Sequence, residues 1–170
     1  WLIGKSPEIF EFAVIATSQT EGKKTAFALL KKYEKQFSDY AMFWIRAYYE
    51  SETDQDRQWA VNSIANLNCN KLKSSGLSTQ KVLADILIRG GKYLEALNIL
   101  SSIEQIGYGN LDITRMKIQL YLNTNRQIDI LTEINQHYEG LKQDSQILEL
   151  YLGISLNFKR LIREEVLSDA

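Results

Sequence analysis

The chain has 170 residues, 45% of them hydrophobic and 24% charged, which is enough for one domain with a buried core. Twenty lysines and arginines stand against 21 acids, so a net charge near −1 offers no overall attraction to nucleic acid or an anionic membrane. No apolar run nears the ~18 residues of a membrane span, and Cys69, alone, can make neither an internal disulfide nor a cysteine-based zinc site.

Proline occurs once, at Pro7, which suits a mostly helical chain because proline breaks helix interiors. Ser6-Pro7-Glu8 reads as a helix start: a capping serine, a proline pre-set for the first helical position and an acid at the positive helix end. A helix over about 7–18 is predicted, with Ile9, Phe10, Ala13, Val14 and Ala16 on its apolar face, and Thr20-Glu21-Gly22 interrupts it. The next, over 23–37, carries the stripe Ala26, Leu30, Tyr33 and Phe37, with Lys31, Lys32 and Lys35 on a solvated opposite face. Ser38-Asp39 opens an aromatic-rich helix over 40–51, and Thr53-Asp54 opens a fourth with Ala60, Ile64 and Leu67 in register. Asn68 to Gly76 is polar and reads as a loop. Residues 78–89 are apolar almost all round and require cover on more than one side. Gly90-Gly91 ends that helix, and another follows over 92–106 with Tyr93, Ala96, Leu97, Leu100 and Ile103. Gly107 to Asn110 is a loop, two further helices meet near Asn125, and a last pair is predicted to meet near Phe158-Lys159. Neither sustained period-two alternation nor an Asn-Gly hairpin signals a strand.

A period runs through these elements. At an offset of 34, Ile86 falls on Leu120, Ile88 on Leu122, Leu94 on Ile128 and Leu97 on Leu131. A further step puts Ile118 on Leu152, Leu120 on Ile154, Leu122 on Leu156 and Asn123 on Asn157. Ala26 and Ala60 are also 34 apart, and Ala96 follows Ala60 by 36. A small side chain there lets antiparallel helices cross at the usual spacing of ~8–10 Å. The pattern resembles the tetratricopeptide repeat, a helix–turn–helix unit with a 34-residue period. The resemblance spans nearly the whole chain as about five repeats, 7–37, 39–68, 77–106, 111–139 and 145–168, within one domain. It is clearest over 77–106, where Leu83-Ala84 matches the leucine–small pair, Ala96 the crossing alanine and Leu100 the large apolar position. Departures are Gln80 for the usual tryptophan, Tyr108 where proline is common, Tyr48 at a small position and Ile130 at the alanine position. The resemblance implies an all-α, right-handed α-solenoid of about five antiparallel helix pairs. Sel1-like and HEAT-like arrays are related alternatives, and a non-repeating helical bundle is another.

No catalytic constellation emerges. Gly4-Lys5-Ser6 has the ending of a phosphate-binding loop, but Pro7 follows at once and the helix-cap role accounts for Ser6. In Gly22-Lys23-Lys24-Thr25, a lysine stands where serine or threonine is needed. Glu50, Glu52, Asp54 and Asp56 alternate in "ESETDQD", yet the stretch lacks the glycine and distal glutamate of a calcium loop and reads as a solvated turn capped by Thr53 or Asp54. His137 is the single histidine and reads as a surface or partly packed residue with no acid in register. No serine or cysteine has a matching base. No cofactor or metal is expected, and the chain is read as a non-enzymatic interaction or scaffold module.

In solenoids of this kind the first helices of successive repeats line a concave surface. The resemblance therefore implies partner-binding rows of Lys81, Arg115 and Glu149, of Asp85, Gln119 and Gly153, and of Arg89, Asn123 and Asn157, begun by Arg46 and Tyr49. Such a mixed polar face suits an extended peptide or a helix of another protein. The aromatic cluster of Tyr40, Phe43, Trp44, Tyr48, Tyr49 and Trp59 belongs to the core, with some rings left as binding anchors or for self-association. The competing expectation is a helical regulatory arm of a larger, nucleotide-using enzyme. Trp1 in place of methionine suggests a piece of a longer chain, and the lone cysteine without a visible signal peptide favours the cytoplasm.

Overall fold

The computed structural model describes residues 6–67, 75–105 and 110–168, with side chains as far as Lys159. The predicted loops at 68–76 and 107–110, Gly4-Lys5 and Cys69 lie largely or wholly outside the described residues. Ten helices and no strand occur among the described residues: α1 (Pro7–Glu21), α2 (Lys23–Phe37), α3 (Ala41–Glu50), α4 (Asp54–Ala65), α5 (Leu77–Arg89), α6 (Tyr93–Ile103), α7 (Leu111–Asn123), α8 (Gln127–Gln136), α9 (Tyr138–Leu141) and α10 (Ser145–Ser168). None is long and apolar enough to cross a membrane.

The chain divides into two compact units, Trp1–Gln105 and Ile106–Ala170. In the first, α1 packs on α2, α3 on α4 and α5 on α6, and the first helices α1, α3 and α5 also touch in succession. Ala26, Ala60 and Ala96 are fully buried at the crossings, where a larger side chain would hold the paired helices apart. Helix α5 meets α3, α4 and α6, which explains its nearly uniform apolar surface. In the second unit α8 packs on α7, on α10 and on the single-turn α9.

Local chemistry sets the ends of these helices. The Ser6 hydroxyl accepts from the Ile9 amide at 3.2 Å and caps α1. Thr53 does the same for the Asp56 amide at 3.1 Å, and Asn110 for Ile113. Helix α1 runs to Glu21, beyond its predicted end at Ser18, before Gly22 at φ 92° turns the chain. Helices α1, α3, α5, α7 and α10 begin at Pro7, Ala41, Leu77, Leu111 and Ser145, at intervals of 34, 36, 34 and 34 residues.

Three expectations need correction. No helix pair forms near Phe158-Lys159, because α10 continues unbroken to Ser168. Two earlier corners turn through Gly91 at φ 73° and Asn125 at φ 55°. One repeat period after Asn125 stands Lys159, which cannot adopt the left-handed conformation cheaply. Glu50 is not on a solvated turn: it is buried and accepts from the Ser18 hydroxyl at 2.6 Å. His137 does have an acid in register, since its Nε2 lies 3.7 Å from Glu133, one helical turn back. Lys31 is exposed as expected but rests its ammonium 3.1 Å from the centre of the Trp59 ring.

Candidate interaction surface

The first unit contains a cleft of about 740 Å³ between the N-terminal halves of α1 and α3 and the start of α5. Its floor is aromatic. Phe10, one turn into α1, stacks on Phe37 at 4.6 Å and lies 5.9 Å from Phe43. All three rings are buried, and Phe43 makes an edge-to-face contact with Trp44. Tyr40 stands exposed at the rim, and half-buried Met42 faces Thr79 of α5, whose hydroxyl is 3.9 Å from the thioether sulfur. Arg46 lies on the wall and donates from Nε and Nη2 to the same oxygen, Oε1, of Glu11 on α1, at 3.0 and 2.9 Å. Glu8 lines the mouth, is exposed, and has no ion-pair partner among the described residues.

The remaining residues expected on this face fall into small groups. Tyr49 is exposed and packs edge-on against Tyr48 at the end of α3. On α5, Arg89 donates to Asp85 at 2.8 Å, and this hydrogen bond together with the Asp85 charge raises its pKa above the ordinary arginine value. Asp85 and Arg89 are thus brought together. Lys81, half-buried, has a polar contact of its own. In the second unit Arg115 does not pair with Glu149. It reaches Asp144 at 3.2 Å and Asp112 at 3.9 Å. Gln119 donates to Asn123 one turn on, and both are exposed, as are Glu149, Gly153 and Asn157 on α10.

The aromatic cluster splits between core and surface. Phe43 and Trp44 are buried, Tyr48 and Trp59 half-buried, and Tyr40 and Tyr49 exposed. The Trp44 indole N–H donates to the Ser38 carbonyl at 2.7 Å, so its one polar atom is satisfied inside.

The sequence reading missed two arrangements. Glu11 and Arg46 sit about one repeat apart on successive first helices, and an acid and a base at that spacing were the available signal. The second is a buried ion pair, Lys117 Nζ to Glu133 Oε2 at 2.7 Å and Oε1 at 2.9 Å, flanked by His137 and near Tyr121. Burial raises the Tyr121 pKa, with Lys117 opposing the shift and Glu133 reinforcing it. Each charge of this pair neutralises the other in a nearly dry site, which suits a structural role. No protein-family model, no curated protein and no solved structure matches the chain, so a functional reading rests on its own residues.

Proposed function

We propose that this chain is a non-enzymatic, tetratricopeptide-repeat-like interaction module that binds a segment of another polypeptide on the face of its first helices. The observation that carries the reading is the regular start of those helices, which recurs at close to the repeat period from Pro7 through Ala41, Leu77 and Leu111 to Ser145. It is supported by the cleft, which opens among three successive first helices, α1, α3 and α5, and includes Arg46. In arrays of this kind each repeat contacts its neighbours and the first helices present a continuous binding face. Exposed Tyr40 and Tyr49 fit the role of rigid, amphipathic anchors, and the hydrogen-bonding side chains of Asp85, Arg89, Arg115, Gln119, Asn123, Glu149 and Asn157 suit an extended or helical peptide.

A peptide-display selection against the chain tests this directly. Repeated with Arg46, Arg115 and Asn123 each replaced by alanine, it is expected to lose most of its clones. An unchanged set of binders would remove the face from consideration.

A further inference from the structure

We infer that the cleft between α1, α3 and α5 takes a partner segment that is both apolar and basic: a bulky apolar side chain on the phenylalanine floor, with a neighbouring arginine or lysine at Glu8 and Glu11. This deepens the proposed peptide-binding function and rests on it. The apolar half follows from the floor. Phe10, Phe37 and Phe43 form one stacked surface, and Met42 beside them is a side chain that adapts to irregular shapes. A cleft of about 740 Å³ lies within the range of pockets that enclose most of a small ligand, so it holds more than one side chain.

The basic half follows from charge. Among the described residues, Glu8 and Glu11 line the cleft against one cation, Arg46. Both guanidinium bonds from Arg46 go to Oε1 of Glu11, which leaves Oε2 with its acceptor capacity. Glu8 is exposed at the mouth without an ion-pair partner among the described residues. A carboxylate entering this cleft would meet two glutamates and a guanidinium already engaged. An incoming arginine or lysine would meet the same glutamates with opposite charge.

The test uses the full chain and three labelled peptides of identical length. One combines tryptophan and leucine with arginine, one replaces arginine with glutamate, and one replaces tryptophan and leucine with serine. Fluorescence anisotropy is expected to show the first binding about tenfold or more tighter than either other. Its affinity should fall with salt, and its chemical-shift changes should centre on Met42 and Thr79. Glu8→Lys, a change at an exposed site, should weaken the first peptide several-fold, with only a small fall in melting temperature from the lost acid at the start of α1. Equal or tighter binding of the glutamate peptide at Met42 and Thr79 would overturn the basic preference and leave the peptide-binding face intact. Shifts confined to residues away from α1, α3 and α5, or no binding by any of the three, would overturn the cleft as the anchor site. The display selection with Arg46, Arg115 and Asn123 replaced still judges the wider reading separately.

Discussion

The hairpins α5–α6 and α7–α8 are two versions of one backbone written in different side chains. Their first helices start at Leu77 and Leu111, one repeat period apart, and are equally long. Their corners share hydrogen bonds residue for residue. Gly90 N donates to Ile86 O, Gly91 N to Ile88 O and Lys92 N to Leu87 O; Thr124, Asn125 and Arg126 donate to Leu120, Leu122 and Tyr121. Lys92 has φ −91° and ψ 65°, and Arg126 has −90° and 66°. Burial follows the same register: Ile86 and Leu120, Leu100 and Ile134, Ala96 and Ile130 are inside, while Leu94 and Ile128 are exposed. The exception is instructive. Where the first hairpin buries Leu83 and Ile99, the second buries Lys117 and Glu133. The fold requires two filled positions there, and either an apolar pair or a mutually neutralised ionic pair satisfies it.

The largest effect is expected from unbalancing that exchange. Lys117→Leu alone strands Glu133 in the interior and should cost about 3–5 kcal/mol in chemical denaturation. Adding Glu133→Ile, which copies the first hairpin, should restore most of the loss. A double variant as unstable as the single one would show that the two sites are not equivalent. The next effect comes from Gly90, where an added Cβ would lie 2.4 Å from Cγ1 of Val61, a stiff and buried side chain. Gly90→Ala should cost about 1–3 kcal/mol through overpacking, whereas Thr124, its counterpart, already carries a side chain. A neutral Gly90→Ala in a melting experiment would contradict this close approach.

Gly91 sharpens the comparison of the corners. Its Cβ would meet open space, so only the left-handed backbone resists substitution. Gly91→Ala should cost about 1 kcal/mol, and Gly91→Asn should be nearly neutral because Asn125 holds the same position in the other corner. Equal losses from both variants, read from denaturation midpoints, would separate the two corners. The smallest effect concerns Tyr121, which replaces Leu87 of the first hairpin. Burial holds its pKa above the unfolded value near ~10. The associated stability is complete below that pH and declines above it, because the unfolded chain ionises first. Tyr121→Phe should flatten the alkaline loss of stability, and an unchanged slope would assign that loss to other groups.

Much of the fold was legible in the sequence because its signals are local. Ser6, Thr53 and Gly90-Gly91 mark helix ends through their own hydrogen bonds or backbone freedom, and the helices themselves showed through buried apolar positions. Lys159 misled because apolar periodicity alone does not make a corner; the two corners it aligns with turn through Gly91 and Asn125. The candidate surface was less legible. Arg46 was reached by register, but its partner Glu11, the floor formed by Phe10 and Phe37, and the burial of Glu50 depend on which helices meet. Lys117 and Glu133 were hidden for a related reason, since charged residues at core positions break the apolar pattern that reveals a repeat.

The pairing of each helix with the next also bears on how the chain folds. In α1–α2, α3–α4, α5–α6 and α7–α8 the partners are neighbours in sequence, joined by short turns. Bringing such neighbours together loses little loop-closure entropy, and chains rich in local helical contacts fold in microseconds to milliseconds. Each hairpin thus closes at little cost in chain entropy, and apolar crossing faces such as that of Ala96 and Leu100 are covered by neighbours in sequence.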